Sequence, residues 1–268
     1  MGDEQFASAA PQCVEIYQDA PISYMTERSM SLLSDLSASV PVVPTTTRTA
    51  TQFGRVSLPG SPFPYAVVSN GGRILVDGVD DMRWRAGIER VLRECRADLD
   101  TVVANLRSRI DDSWVKSLRI ADDLFCYLVV DLAAQPGGFL EEWSQWCQDR
   151  DWTVSQQGRK IYAMPRCVTK SAAVAEVRRR LIESGRICAD ASLVAAGDGW
   201  LDADLLESAD RAIRPRHGEL HHLEWNRDHV RVTAQSGALA GEEILEWFLG
   251  QVHNSHGNCN DTALEATR

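Results

Sequence analysis

Two carboxylates that could bind a metal ion follow an apolar run late in the chain. Residues 192–196 are largely apolar and continue directly into the motif GDGWLD, which contains Asp198 and Asp202. If the run is a strand of a parallel sheet, both acids lie at its carboxyl edge, where α/β proteins bind ligands. Mg²⁺ prefers oxygen ligands beside a phosphate, so we predict a magnesium site at these two acids. The alternatives are an acidic helix start, which the helix dipole favours, and a methyltransferase-type glycine turn.

A threonine and a lysine could complete a phosphate site beside these acids. Thr46 follows the apolar run 40–43, which predicts a strand, so its hydroxyl could hold a phosphoryl oxygen. Lys170 begins a predicted helix, and its ammonium could neutralise a phosphate and steady a nucleophilic carboxylate. Taken singly, a turn threonine and a solvated lysine explain these residues as well. Arg48 and Asn70 are candidate substrate contacts at the same sheet edge, with a capping or turn role as the alternative.

The order of these motifs along the chain resembles that of the haloacid dehalogenase superfamily. By this resemblance Thr46 corresponds to the second motif of the family and Lys170 to the third. Asp198 and Asp202 correspond to the fourth motif. The resemblance therefore implies that all four residues belong to one site.

Three segments resemble the Cof-type and sucrose-phosphate-phosphatase-like branch of that superfamily. They are VPTTTR (43–48), YAVVSNGG (65–72) and VTAQSGALAGEEIL (232–245). The resemblance implies an α/β fold, with a Rossmannoid parallel-sheet core and an inserted α/β cap. It also implies Mg²⁺-dependent hydrolysis of a phosphate monoester, for example a sugar phosphate, through an aspartyl-phosphate.

The first motif of the family, an apolar strand ending in Asp-x-Asp-x-Thr, is not found in the chain. In that motif one aspartate attacks phosphorus and the other acts as general acid and base. Residues 19–23 come nearest, but a proline replaces the second acid, and the strand before them would contain Glu15 and Gln18. We therefore predict that residues 13–24 are a hairpin flap and that the central nucleophile strand is missing. The first motif is then expected ahead of Met1.

The missing motif leaves three hypotheses. The first is a phosphatase of which this chain is a truncated form. The second is a catalytically inactive module that binds a phospho-ligand or a partner, and the third is a protein whose missing strand comes from another chain. Losing a central strand leaves two rows of backbone groups unpaired, so the first hypothesis is favoured over an evolved binding module.

The pattern of elements predicts a core in two parts around an insert. Residues 1–82 form the first part, with the flap and the second motif, and residues 83–166 form the α/β cap. Residues 167–252 form the second part of the core, and residues 253–268 are predicted to be a disordered tail. Shorter patterns predict a helix at 26–37, a long helical stretch at 81–110, a helix at 171–184, and strands at 125–130, 152–154, 160–162 and 230–233.

Composition limits the classes of partner. The net charge of −10 over 268 residues argues against a surface that binds a nucleic-acid backbone. Seven cysteines that are never spaced as Cys-x-x-Cys predict reduced thiols in a cytoplasmic protein. No apolar run approaches the roughly 18 residues that span a bilayer. The expected partner is a small phosphorylated substrate, without nucleic acid or membrane.

Overall fold

The structure, a computed structural model, describes the backbone of residues 11–265 and the side chains of residues 11–252. The strands are β1 (Pro11–Tyr17), β2 (Ala20–Thr26), β3 (Tyr65–Val68), β4 (Arg73–Val76), β5 (Val79–Asp80), β6 (Val115–Ala121), β7 (Phe125–Val130), β8 (Trp152–Gln157), β9 (Lys160–Pro165), β10 (Val194–Ala196), β11 (Arg211–Arg214) and β12 (Val230–Val232). The helices are α1 (Glu27–Ser39), α2 (Ala50–Phe53), α3 (Met82–Leu92), α4 (Leu99–Arg107), α5 (Phe139–Gln148), α6 (Lys170–Glu183), α7 (Ala203–Ser208), α8 (Glu219–His222) and α9 (Gly237–Glu265). The chain is therefore of the mixed α/β class.

Three parallel strands, in the order β10-β11-β12, form the sheet that leads to the acidic motif. Ala195 of β10 lies opposite Ala212 of β11, and both are buried against helices α6 and α7. Parallel neighbours need a crossover connection, and the segments that contain α7 and α8 provide it. The strand predicted at 192–196 is confirmed, with narrower bounds. β11 is too short and too mixed in composition for the sequence pattern to predict it.

A second, antiparallel sheet has the order β3-β4-β5. Thr45 extends it by one parallel bridge to Val67 of β3. The backbone N–H of Val67 donates to Pro44 O at 2.8 Å, and that of Thr46 donates to Val67 O at 2.9 Å. The strand predicted at 40–43 is wrong, because a strand needs a hydrogen-bonded neighbour. Among the residues that the structure describes, the extended segment 40–43 has no such neighbour.

Strands β1 and β2 form the predicted hairpin, with its turn at Gln18 and Asp19. Asp19 therefore lies at the tip of a hairpin and not at the end of a sheet strand. The helix predicted after the hairpin is confirmed as α1. Thr26 caps it, because the Thr26 hydroxyl oxygen accepts from the backbone N–H of Ser29 at 3.0 Å.

The predicted insert contains an antiparallel sheet in the order β6-β7-β9-β8. Helices α4 and α5 share its apolar cluster, which includes the fully buried Trp143. The strands predicted at 125–130, 152–154 and 160–162 are confirmed. The long helical stretch predicted at 81–110 is divided into α3 and α4, because Asp98 begins a new helix by accepting from the backbone N–H of Thr101 at 2.9 Å.

Helix α9 ends the described chain and packs against α1. The hydroxyl of Thr26 donates to Glu242 of α9 at 2.5 Å, so the start of α1 is tied to α9. The disordered tail predicted at 253–268 differs from the structure as far as Glu265, because the backbone of α9 continues through these residues, and residues 266–268 lie outside the described ones. None of the helices in the described part of the chain is both long and apolar enough to cross a membrane.

Candidate functional site

The acidic motif folds into a tight loop directly after β10. One carboxylate oxygen of Asp202 accepts from the backbone N–H of Asp198 at 3.1 Å and from that of Gly199 at 2.9 Å. Any side chain at Gly197 would collide with the Asp202 carboxylate, so only glycine allows the chain to pass here. The spacing of the GDGWLD motif therefore places the Asp202 carboxylate against the backbone of the loop that Asp202 ends.

Lys170 joins this loop from helix α6. Thr169 caps the helix by accepting from the backbone N–H of Ala172 at 3.2 Å, which makes Lys170 its first residue. The ammonium of Lys170 pairs with the second carboxylate oxygen of Asp202, and both side chains are buried. The structure thus brings together the predicted third motif and one acid of the fourth.

Asn70 connects Thr46 to the segment that leads into α6. The backbone N–H of Asn70 donates to Thr46 O at 2.9 Å, and its side-chain amide donates to Val168 O at 3.0 Å. Val168 is two residues before Lys170, so these bonds connect the end of β3 to the start of α6. The Thr46 hydroxyl oxygen accepts from the backbone N–H of Arg48 at 3.1 Å, which leaves the hydroxyl hydrogen able to donate to a ligand.

The two candidate substrate contacts differ in environment. Asn70 is buried, and its side-chain carbonyl oxygen has no partner among the described residues. Arg48 instead pairs with the fully buried carboxylate of Glu15 at 2.7 Å. Burial alone would raise the pKa of Glu15, but hydrogen bonds from Ser23 and Arg48 outweigh it and lower that pKa. A substrate that binds Arg48 must therefore compete with an ion pair to the hairpin.

The other acid of the loop, Asp198, lies beside the negative charge of Asp202. Burial raises the pKa of the Asp198 carboxyl, and the neighbouring charge of Asp202 raises it further. Gly218 packs directly against Asp198, and a side chain there would collide with it. A cation placed between the two acids would relieve this repulsion.

The acid pair fits a magnesium ion only in part. Mg²⁺ is held by one or two carboxylates together with substrate phosphate and water. Asp198 and Asp202 supply two carboxylates, although both oxygens of Asp202 already have protein partners. Among the described residues, no group of three or more His, Cys, Asp and Glu side chains could hold a metal ion. Without ligands from substrate or water, these two carboxylates alone would not hold Mg²⁺ tightly.

Sequence reasoning misses Glu219, which ties the acidic loop to the predicted insert. Its carboxylate accepts from the backbone N–H of Trp200 at 2.8 Å and from that of Gln156 at 3.0 Å. The hydroxyl of Ser155 donates to the same carboxylate at 2.6 Å. No spacing rule connects a glutamate in a histidine-rich stretch to strand β8, so the sequence holds no signal for this role.

Solved phosphatase structures are similar to this chain. A sucrose-phosphatase from Synechocystis sp., solved with sucrose and phosphate, is 17% identical, with 83% of this chain and 90% of that chain covered and a TM-score of 0.58. A trehalose-6-phosphate phosphatase related protein is 18% identical, with 91% and 96% covered and a TM-score of 0.53. A haloacid dehalogenase-like hydrolase from B. subtilis is 14% identical, with 83% and 93% covered and a TM-score of 0.50.

No protein-family model matches the sequence, and no curated protein matches it. The structural likeness, at these identities, defines the fold. The chain has a haloacid-dehalogenase-like fold, similar to that of the sucrose-phosphatase, with a parallel-sheet core and an inserted α/β cap. The predicted fold class is thereby confirmed. The roles of the individual site residues stay predictions.

Proposed function

We propose that this chain is a Mg²⁺-dependent phosphohydrolase of the haloacid dehalogenase type for a phosphate monoester in the cytoplasm, here lacking the nucleophile motif and therefore unable to turn over the ester as it stands. Sugar phosphates are the substrate class to test first, because a sucrose-phosphatase solved with sucrose and phosphate shares the fold. The observation that carries the proposal is a pair of contacts, Thr46 with Asn70 and Lys170 with Asp202, which the hydrogen bond from Asn70 to Val168 O connects across the start of α6.

Each of these residues has a chemical role in this proposal. The hydroxyl of Thr46 donates to a phosphoryl oxygen, and the ammonium of Lys170 neutralises phosphate charge. Asp198 and Asp202 would hold Mg²⁺, which supplies positive charge beside the phosphate. Asn70 holds Thr46 in position relative to the start of α6. Arg48 and Asn70 would contact the part of the substrate that lies beyond the phosphate group.

Covalent phosphoryl transfer also needs a nucleophilic carboxylate. We propose that this carboxylate is not among residues 11–252, because Asp202 is bound to Lys170 and Asp19 lies at a hairpin tip. The chain should therefore bind Mg²⁺ and phosphate without turning over an ester. This is also what a catalytically inactive phospho-ligand-binding module would do.

A hydrolysis assay tests the catalytic part of the proposal. With Mg²⁺ present, we expect p-nitrophenyl phosphate and hexose phosphates to be hydrolysed no faster by the wild-type chain than by Asp198→Asn. Turnover that disappears in Asp19→Ala would instead make Asp19 the nucleophile and overturn the proposed absence.

A calorimetric titration with Mg²⁺ tests the metal part. We expect weak binding by the wild-type chain and none by Asp198→Asn, because one carboxylate alone holds Mg²⁺ poorly. Asp112→Asn, which removes an exposed acid of the cap, is the matched control and should bind as wild type does. Equal heats from all three proteins contradict the assignment.

A further inference from the structure

Two cysteine side chains that are distant in sequence lie in contact. Cys95 lies in the turn between α3 and α4, and Cys167 lies between β9 and α6. Their sulfur atoms are 3.5 Å apart, although 72 positions separate the two residues along the chain. Both are free thiols, and both are partly exposed. A disulfide bond joins sulfur atoms at about 2.05 Å, so a shift of about 1.5 Å would allow one to form here.

Asp151 holds the two cysteine segments beside each other. Its carboxylate accepts from the backbone N–H of Arg96, the residue after Cys95, at 3.2 Å. Its backbone oxygen accepts from the N–H of Arg166, the residue before Cys167, at 2.8 Å. One residue therefore binds the backbone next to each thiol, and the contact between the sulfur atoms does not depend on the two side chains alone.

The backbone around the thiols can accommodate a bond between them. Trp152 anchors the Cys95 turn to β8, because its buried indole N–H donates to Ala97 O at 2.9 Å. Neither cysteine belongs to a helix or a strand. The sulfur atoms can therefore approach each other without breaking the hydrogen bonds of a helix or a sheet.

An open cavity in the cap leads to Cys95. The cavity has a volume of about 390 Å³ and is lined by the Cys95 turn, by Trp152 and by Ile120 of β6. Cys167 is not among its lining residues, so a small molecule that enters the cavity meets Cys95 first. The charged part of the lining consists of three carboxylates and one guanidinium group, those of Asp98, Asp100, Asp123 and Arg93. This surplus of negative charge favours a neutral or cationic molecule.

The environment of Cys167 makes it the second thiol to react. Burial raises the pKa of the Cys167 thiol to about 12, and the hydrogen bond with Cys95 and the charge of Cys95 add to the rise. A thiol that stays protonated is a poor nucleophile. Once the Cys95 sulfur is part of a disulfide it carries no charge, so this contribution to the pKa of Cys167 is removed.

We propose that Cys95 and Cys167 form a thiol pair that a small disulfide with neutral or cationic groups oxidises reversibly to a protein disulfide. The Cys95 sulfur, whose proton passes to water, attacks one sulfur of the small disulfide. The sulfur–sulfur bond of the reagent breaks, and one half leaves and takes up a proton as a thiol.

Cys167 completes the reaction. Its sulfur gives up a proton and attacks the Cys95 sulfur, which forms the bond between the two cysteines and releases the second half of the reagent as a thiol. Two protein thiols are thus oxidised to one disulfide, and the small disulfide is reduced to two thiols. The new bond joins the cap to the segment that leads into α6, three residues before Lys170. The inference is independent of the proposed phosphohydrolase activity.

Mass spectrometry of the digested chain, without reduction, tests the pair. Three other cysteines of the full chain are first replaced, by Cys13→Ser, Cys188→Ser and Cys259→Ser. This background keeps the pair and the buried Cys126 and Cys147. The probe is cystamine, a dicationic disulfide. We expect a peptide in which Cys95 is linked to Cys167, with two molecules of cysteamine released per chain. No such peptide, or a link to Cys126 or Cys147 instead, overturns the proposal.

Two single variants in the same background test the order of the steps. Cys167→Ser should stop at the mixed disulfide between Cys95 and cysteamine. Cys95→Ser should form the mixed disulfide at Cys167 about tenfold more slowly, because that thiol stays protonated and does not line the cavity. Equal rates in the two variants overturn Cys95 as the thiol that reacts first.

The charge of the reagent tests the cavity as the route to Cys95. The matched probe is dithiodiglycolate, a dianionic disulfide of similar length. The rate of each reagent with the chain is divided by its rate with N-acetylcysteine amide, a neutral thiol. We expect this ratio to be about tenfold higher for cystamine, as for a cleft lined by one sign of charge. Equal ratios overturn the cavity as the route.

Thermal unfolding tests whether the fold is built to hold the bond. A bond between positions 72 apart restricts the unfolded chain, so the oxidised chain should melt about 5–10 °C above the reduced one. Dithiothreitol should return the melting temperature to that of the reduced chain. Cys167→Ser treated with cystamine is the matched control and should show no rise. An oxidised chain that melts at or below the temperature of the reduced chain overturns the proposal.

Discussion

Lys170 and Asp202 form a buried ion pair at the start of α6. Removing one partner of such a pair leaves an uncompensated charge away from water. We expect Lys170→Met to lower the free energy of unfolding by about 3–5 kcal/mol, measured by urea denaturation. The same change at Lys116, whose pair with Asp131 is more than half exposed on the lysine side, should cost about 0–1 kcal/mol. Equal losses in the two variants contradict the buried pair.

Gly71 brings β3 close to the start of α6. Gly71 has a φ of +96°, and a methyl group there would collide with the backbone carbonyl of Thr169. Gly78 has a φ of +82° with open space around it, which makes it a matched control. We expect Gly78→Ala to cost about 1–2 kcal/mol for its left-handed backbone, and Gly71→Ala clearly more, because Thr169 and Lys170 must also shift. Thermal unfolding of both variants measures the difference, and equal costs contradict the close approach.

Single residues were predictable only where their motif fixes their backbone position. The spacing of Asp198 and Asp202 after an apolar run places both acids in one loop, as the sequence predicts. The contact between Arg48 and Glu15 was not predictable, because it joins residues 33 positions apart through a hairpin whose docking no local pattern encodes. Glu15, an unfavourable residue for a central strand, is accommodated because its carboxylate has partners.

At the scale of elements, Glu219 of α8 connects the acidic loop to strand β8 of the cap. An amide in place of the carboxylate keeps one acceptor and puts a donor opposite the other backbone N–H, either that of Trp200 or that of Gln156, which weakens the connection between the two segments. We therefore expect Glu219→Gln to speed hydrogen exchange at residues 198–202 and 155–157 relative to wild type. The exposed Glu207, paired with Arg227, provides the control Glu207→Gln. Unchanged exchange at both segments contradicts a tie between cap and loop.

The same glutamate should give stability a dependence on pH. Burial raises the pKa of Glu219, while hydrogen bonds from Ser155 and the two backbone N–H groups oppose the rise. With a raised pKa the folded chain holds this proton to a higher pH than the unfolded chain does. The free energy of unfolding therefore falls as pH rises from the ordinary glutamate pKa through the raised one. Urea denaturation over this interval should show a flatter slope for Glu219→Gln, and an unchanged slope contradicts the shift.

Helices and strands were predictable from the sequence where a capping residue or a pattern of apolar residues marks them. Thr26 and Thr169 each cap a helix that the pattern predicts, and a continuous apolar run predicts β7. Segment 40–43 shows the limit of this reasoning. Its composition suits a buried strand, yet a strand exists only through its neighbours, and composition alone does not supply one. The break between α3 and α4 was missed because the apolar period continues across it.

At the scale of the whole molecule, helix α6 joins the two parts of the core. The apolar residues of α6 pack on β3 and on β10 at once, so one cluster joins both parts across the cap insertion. Motif order made this fold predictable, because Thr46 precedes the insert and Lys170 and Asp198 follow it.

The most direct test of the site is a calorimetric titration of the full chain with inorganic phosphate, with and without Mg²⁺. Thr46, Lys170 and the acidic loop together should bind phosphate when Mg²⁺ is present. We predict that Thr46→Val, which keeps the shape but removes one donor, weakens binding by about tenfold, the loss of one charge-assisted hydrogen bond. Asp198→Asn should abolish the effect of Mg²⁺, and Asp112→Asn should bind as wild type does. Phosphate binding that is the same in all four proteins, or absent from the wild-type chain, would contradict the site.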